Sequence, residues 1–350
     1  MIAHHSEASF RRQLLAWYDV HARELPWRQQ PGNKGCRDPY PVWLSEIMLQ
    51  QTRVAGVIEH YHEFLRRFPT VENLATAREA SVLAAWSGLG YYRRARMLHA
   101  AAKVIVRELG GKFPTTAAGW RELPGIGRYT AAAVASIAFD EPVAVVDGNV
   151  ERVLHRISGK RLAGEELWCA AETLLDRERP GDFNQAMMEL GATVCTPRAP
   201  VCLTCPVVKL CATRGELAGA PRAERQKKLE IHYALDARDG KVFLVQRAGD
   251  ARLMAGMWEL PEIPSRAKAP SNGAGEIAPL KAPRHPKDRP SEVCFTVKHS
   301  ITVTDYTVRV WRLPAPDEGA AGKWIASRRL ERLAMTGLTR KILRRAGLLA

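Results

Sequence analysis

The sequence predicts a multidomain chain, with a mainly α-helical region over residues 8–215 and an α+β region over residues 229–345. Three observations predict this. Apolar residues recur at helical spacing through the first region. Beyond residue 228 they give way to short runs of β-branched and aromatic residues. Between the two lies a Gly-, Ala- and Arg-rich join with no apolar periodicity. A length of 350 residues also suits two domains.

In chain order, Phe10, Leu14, Leu15, Trp17 and Tyr18 form the first helical face. Trp43, Leu44, Ile47 and Met48 form the next, and Val54, Val57, Ile58, Tyr61, Phe64 and Leu65 a third. Apolar groups three or four residues apart stack on one side of a helix. Pro69, Pro114, Pro124 and Pro142 punctuate the region, because proline lacks the N–H that continues a helix. Gly215 to Pro221, followed by Arg222, Arg225, Lys227 and Lys228, reads as a basic linker over 216–228. Ile231–Leu235, Val242–Val245 and Ile301–Val308 read as strands, with Asp239-Gly240 as a two-residue hairpin turn. Residues 264–291 are rich in Pro, Ala, Lys and Arg and read as a mobile insertion. Leu330–Leu349 reads as a closing helix.

Lysine and arginine total 52 against 37 acidic residues, for a net charge of +15 and a pI near 9.7. That excess favours a polyanionic partner. There is no apolar run of about 18 residues, so no membrane partner is expected. Met1–Glu7 has no apolar signal core, so the expected location is cytoplasmic (nucleoid-associated if bacterial), and the expected state is a monomer.

Leu123-Pro124-Gly125-Ile126-Gly127-Arg128-Tyr129-Thr130 sits between two helical patterns. Its glycines permit a tight turn and leave N–H groups bare at the start of the second helix. Those groups, with the helix dipole, can hold a phosphate. This is a helix-hairpin-helix suited to DNA backbone, with Gly125 and Gly127 as its contact points. About twenty residues on, Val145-Val146-Asp147-Gly148-Asn149-Val150 places a carboxylate at another helix start.

Four of the seven cysteines fall in one short segment, as Cys195-x6-Cys202-x2-Cys205-x5-Cys211. In a reducing compartment such a group argues for metal ligation over disulfides. Ligand chemistry alone leaves zinc and an iron–sulfur cluster open. Cys36, Cys169 and Cys294 stand isolated and read as plain core or surface residues.

Taken together, the hairpin, Asp147 and the cysteine spacing resemble the endonuclease III superfamily of helix-hairpin-helix DNA glycosylases. Within it the chain resembles the A/G-specific adenine DNA glycosylases of the MutY type. The residues that carry this are Leu25-Pro26-Trp27-Arg28, Val42 to Thr52, Gly88-Leu89-Gly90-Tyr91-Tyr92, the hairpin, Val146-Asp147-Gly148-Asn149, and Phe183 to Met188. The resemblance spans residues 8–215. It implies a six-helix barrel at about 29–138 and an iron–sulfur domain built from 8–28 with 139–215. It also implies a [4Fe–4S] cluster on Cys195, Cys202, Cys205 and Cys211.

The resemblance implies the chemistry too: excision of adenine mispaired with 8-oxoguanine or guanine in double-stranded DNA. Adenine leaves poorly until protonated, and C1′ gains oxocarbenium character as the bond breaks. One carboxyl must therefore be an acid and another an ionised stabiliser. By resemblance Glu46 protonates adenine and Asp147 faces the sugar. Glu46 lies on the apolar face of its helix beside Trp43 and Ile47, where burial raises its pKa. Asp147, at a helix N-terminus, is expected to stay ionised.

Tyr129 stands where bifunctional relatives carry lysine. A phenol cannot form a Schiff base, so the implied enzyme is monofunctional and leaves an abasic site. Tyr129 is expected to support the carboxylates by hydrogen bonding, with Asn149 beside them. Trp27, Arg28 and Gln185 match the base pocket. Gln50 and Tyr91 enter or brace the stack vacated by the flipped base, and Gln51 lies near the DNA.

Over residues 229–345, Gly256-Met257-Trp258-Glu259-Leu260-Pro261 resembles a MutT/Nudix-like recognition domain. The Nudix catalytic signature is missing, so binding without hydrolysis is expected. Val297-Lys298-His299 is read as the counterpart of a Phe-Ser-His loop that approaches 8-oxoguanine in relatives, with His299 retained. The linker offers a docking surface for repair proteins. Two alternatives stand beside the main reading: a glycosylase for another mismatch such as G:T, and a catalytically inactive DNA-binding protein. Glu46, Gln50-Gln51 and the MutT-like region favour adenine.

Overall fold

The computed structural model describes residues 4–28, 37–215, 217, 227–251, 254–263, 293–301, 304–314 and 322–349. The predicted insertion at 264–291, Cys36 and nearly all of the linker lie outside these residues. Contacts divide the chain into two compact units, Met1–Thr76 with Met97–Pro221, and Ala77–Arg96 with Arg222–Ala350.

The helices of the N-terminal region are α1 (His4–His21), α2 (Pro39–Leu49), α3 (Val54–Arg67), α4 (Val71–Thr76), α5 (Glu79–Ala85), α6 (Arg93–Glu108), α7 (Ala117–Arg121), α8 (Arg128–Phe139), α9 (Gly148–Ser158), α10 (Gly164–Leu174) and α11 (Pro180–Thr193). α5 and the first turn of α6 belong to the second unit; the others belong to the first.

α2 opens on Pro39, with the Asp38 side chain accepting from Tyr40 N at 3.0 Å. It is apolar almost all round and is buried from Val42 through Met48. A helix with no polar face belongs in a core. Trp43 packs on Trp120 and Phe113, with ring centroids 5.6 Å and 6.4 Å away. The alanine-rich α8 lies against α2, α7 and α11. α11 then passes close to α9 at Gly191, where an added Cβ would lie 2.6 Å from Asn149 Cβ. α2, α8, α9 and α11 thus surround one interior region, and all four carry predicted site residues.

The second unit holds β1 (Lys227–Leu235), β2 (Ala237–Arg238), β3 (Lys241–Gln246), β4 (Trp258–Glu259), β5 (Glu262–Ile263), β6 (Phe295–Ile301), β7 (Thr304–Arg312) and β8 (Gly322–Ala326), then α12 (Ser327–Leu330) and α13 (Gly337–Arg345). One sheet has the order β5-β1-β7-β6, with β1 and β7 parallel. In the other, β2, β4 and β8 all pair with β3. Their shared core includes Val242, Leu244, Val308, Val310, Leu330, Met335 and Ile342. The β2–β3 hairpin turns at Asp239 and Gly240, with φ of 51° and 66°. Positive φ at both central residues makes the turn follow the strands' own twist.

Three readings of this region need correction. The strand read over Ile301–Val308 belongs to two strands, with Ile301 ending β6 and Thr304 opening β7. Lys227 and Lys228 open β1 and are not linker. Leu330–Leu349 is not one helix: α12 ends at Leu330 and α13 begins at Gly337. Between them the backbone pairs with β4. Trp258 N donates to Ala334 O at 2.8 Å, and Thr336 N donates to Trp258 O at 3.0 Å. Thr336 then caps α13 by accepting from Thr339 N at 3.2 Å. No helix among the described residues is long and apolar enough to cross a membrane.

Candidate active site

The buried stretch of α2 carries Glu46, only 7% exposed. Tyr129, on the first turn of α8, donates its hydroxyl to Glu46 Oε2 at 2.7 Å. Burial pushes the Glu46 carboxyl up to about 7; Tyr129 pulls it down, Asp147 pushes it up and Arg28 pulls it down. Burial also holds the Tyr129 hydroxyl far above its ordinary range, so it stays a donor.

Asp147 is the N-cap of α9. Its Oδ1 accepts from Asn149 N at 2.9 Å and Val150 N at 2.7 Å, and its Oδ2 accepts from Asn149 Nδ2 at 2.9 Å. Two opposing influences act on this carboxyl. Burial raises its pKa above the ordinary value, and the bonds from Val150 and Asn149 oppose that rise. Asn149 is fixed in turn, its Oδ1 accepting from Arg152 Nη2 at 2.8 Å. Arg152 also donates to Gly191 O at 2.6 Å and to Cys195 O at 2.7 Å.

The hairpin behaves as its glycines require. Gly125 has φ +76°, and a Cβ there would fall 2.4 Å from Met97 Cβ. Gly127 is the N-cap of α8 with no side-chain cap, and the space beside it is open. A helix start without a side-chain cap suits an anion.

Around this centre, Gln185 is buried on α11 with Nε2 donating to Gly181 O at 3.3 Å. Gln50 Nε2 donates to Thr130 Oγ1 at 3.2 Å. Gln51 follows, exposed, with φ +55°. Trp27 stands edge-on to Tyr61 with centroids 5.2 Å apart. Arg28 pairs with Glu189 Oε2 at 2.8 Å, and Arg23 donates to the same oxygen at 2.9 Å. Glu189 was not singled out from the sequence. Its side chain is fully buried, and although burial alone would raise its pKa, the two arginines hold it below the ordinary carboxylate value.

Residues 44–165 match the HhH-GPD superfamily base excision DNA repair protein model, and residues 232–345 match a NUDIX domain model. A mouse adenine DNA glycosylase is 36% identical over 400 residues, covering 96% of this chain and 77% of the relative. The human adenine DNA glycosylase is 48% identical over 314 residues, covering 73% of this chain and 57% of the relative. The chain belongs to the adenine DNA glycosylase family.

Among solved structures, a thermostable thymine-DNA glycosylase is 30% identical with a TM-score of 0.56, covering 61% of this chain and 99% of that one. Endonuclease III trapped covalently on DNA is 22% identical with a TM-score of 0.52, covering 61% and 98%, a likeness of fold. The family's helix-hairpin-helix glycosylase fold thus forms the N-terminal region and its Nudix-like fold the C-terminal one.

Within this adenine glycosylase family member, the four clustered cysteines follow α11 and are half-buried. Arg156 Nη1 donates to Cys195 Sγ at 3.2 Å, and Arg214 N donates to Cys211 Sγ at 3.4 Å. Burial pushes the Cys205 thiol up to about 11, and Cys195, Cys211 and Cys202 each add to that rise. Among the described residues, no three His, Cys, Asp or Glu groups meet as a metal site. In donor chemistry, four thiols beside a buried guanidinium suit an iron–sulfur cluster. Cys169 and Cys294 are exposed.

In the second unit, Tyr91 has φ +47° and is 43% exposed. Val297, Lys298 and His299, matched to a loop of relatives, all lie within β6, opposite Val308, Thr307 and Tyr306 of β7. Strand alternation decides their directions. Val297 enters the core, Lys298 is exposed and His299 is half-buried. Burial, then Lys341, lowers the His299 pKa and favours neutral imidazole. Residues 302–303, between β6 and β7 in the chain, lie outside the described residues.

Proposed function

We propose that this protein is a monofunctional glycosylase that flips and excises adenine mispaired with 8-oxoguanine or guanine, leaving an abasic site. The observation that carries this is the Glu46 carboxyl, buried, poised near neutrality and held by Tyr129. At physiological pH a large fraction of such a carboxyl is protonated, which is what an acid for a purine leaving group requires.

The Gly125–Gly127 hairpin and the start of α8 hold a backbone phosphate. The adenine leaves the stack at a cost of a few kcal/mol, and Gln50 and Tyr91 brace the gap. Trp27, Arg28 and Gln185 bound the base. Glu46 passes its proton to the adenine ring as the C1′–N bond breaks, and the bonding pair leaves with the neutral base. Asp147, its charge favoured by the Asn149 and Val150 N–H groups, faces the positive C1′. Water adds to C1′ and gives its proton to a carboxylate. Cys195, Cys202, Cys205 and Cys211 would hold a [4Fe–4S] cluster, whose contribution when bound is a structural cross-link of four thiolates. Arg156 then supports its charge and joins it to α9.

With a phenol at position 129, strand breaks at the product require added alkali, and borohydride traps no covalent complex. A trapped adduct in good yield contradicts the monofunctional reading.

A further inference from the structure

Tyr91 sits at the end of a turn running from Ser87 to Tyr92, and both residues flanking that turn bond to one distant backbone oxygen. Tyr92 Oη donates to Met335 O at 2.9 Å, and Ser87 Oγ donates to the same atom at 3.1 Å. Arg340 Nε donates to Ser87 Oγ at 2.9 Å. These residues belong to the same compact unit. Met335 is itself fixed, bridged to Trp258, whose N and O bond to Ala334 and Thr336 on either side. Met335 is fully buried, Tyr92 is 3% exposed and Ser87 6% exposed.

The turn is also braced from inside. Trp86 Nε1 donates to Gly90 O at 3.1 Å, and Arg94 Nη2 donates to Leu89 O at 3.1 Å and Gly90 O at 3.3 Å. The Arg94 guanidinium lies over the Trp86 and Tyr91 rings, 5.4 Å and 5.5 Å from their centroids. Tyr91 itself takes a left-handed backbone, uncommon for an aromatic residue, and it persists only where the surroundings enforce it. The result is an exposed ring on a turn whose two ends are tied to the Nudix-like region.

We propose that Ser87, Tyr92 and Arg340, through the Met335 carbonyl, are positioning residues for Tyr91. They set the turn from the Trp258–Met335 bridge, so that this bridge governs how readily the Tyr91 ring enters an opened duplex. This rests on the reading of Tyr91 as the residue that braces the opened stack.

The test is the rate of duplex opening, read from 2-aminopurine placed beside the target adenine opposite 8-oxoguanine, in the full chain. Tyr92→Phe keeps the ring and removes one bond to Met335 O; Arg340→Met is the second variant should the first unfold. Each should slow opening about fivefold, the factor that ~1 kcal/mol represents. Each should also be silent in a Tyr91→Ala background, because its effect passes through Tyr91. Equal slowing with and without Tyr91, or no slowing where Tyr91→Ala slows opening, overturns the proposal. Unchanged opening in Tyr91→Ala alone overturns the underlying reading of Tyr91 instead.

Discussion

The Tyr129 hydroxyl donates to Glu46 Oε2 at 2.7 Å, linking the hairpin's first helical turn to the buried carboxyl of α2. The bond favours the carboxylate, while burial favours the acid by more, and the balance leaves Glu46 at about 7. One contact therefore joins the element suited to a phosphate with the group suited to a base.

The first prediction concerns pH. In the proposed mechanism the acid form of Glu46 is the active one, so kcat/KM should fall as pH rises through about 7. It should also fall at low pH as Asp147 is protonated, at a point above the ordinary aspartate value. Tyr129→Phe removes a cause that lowers the Glu46 pKa, so the alkaline limb should move upward as the maximum rate drops. A limb that stays in place would separate Tyr129 from the ionisation of Glu46.

The second concerns stability. The folded pKa of Glu46 lies above its unfolded value, so its favourable contribution is complete below about 4.5 and is lost as pH rises through about 7. Above that, keeping the carboxylate buried costs on the order of 3 kcal/mol. Glu46→Gln should abolish base release yet unfold at a higher temperature than the parent at pH 9, with a smaller difference at pH 5. Calorimetry across that range is the check.

The third separates charge from capping at Asp147. Asp147→Asn keeps an oxygen for the Val150 and Asn149 N–H groups, so folding should change little while base release is lost and binding to the mispair persists. Asp147→Ala also loses the cap and should cost ~1 kcal/mol in denaturant unfolding.

The fourth concerns the hairpin. Gly125→Ala puts an L side chain at φ +76° and against Met97. The backbone strain alone is about 1–2 kcal/mol. Melting temperature should fall, and affinity for undamaged duplex should drop with a shallower salt dependence, as one phosphate contact is lost.

Much of this was legible in the sequence because the determinants are local. Helical spacing located α1, α2 and α3, and Asp239-Gly240 located the β2–β3 turn through its positive φ values. What failed depended on distant partners. Leu330, Leu333 and Leu338 have near-helical spacing, but pairing with Trp258 interrupts the helix between them. At Val297–His299 the strand becomes visible only through its register with β7. Glu189 passed unnoticed because Arg23 and Arg28, remote in sequence, are what make its burial tolerable. For Asp147 the sequence shows the helix start but not the burial that opposes it.

The most direct measurement is single-turnover base release from duplexes carrying 8-oxoguanine:A, G:A, G:T and 8-oxoguanine:C, each with and without alkali. The account predicts alkali-dependent breaks at adenine only, fastest opposite 8-oxoguanine. Release of thymine from G:T, or no release of adenine from a well-folded protein, would contradict it.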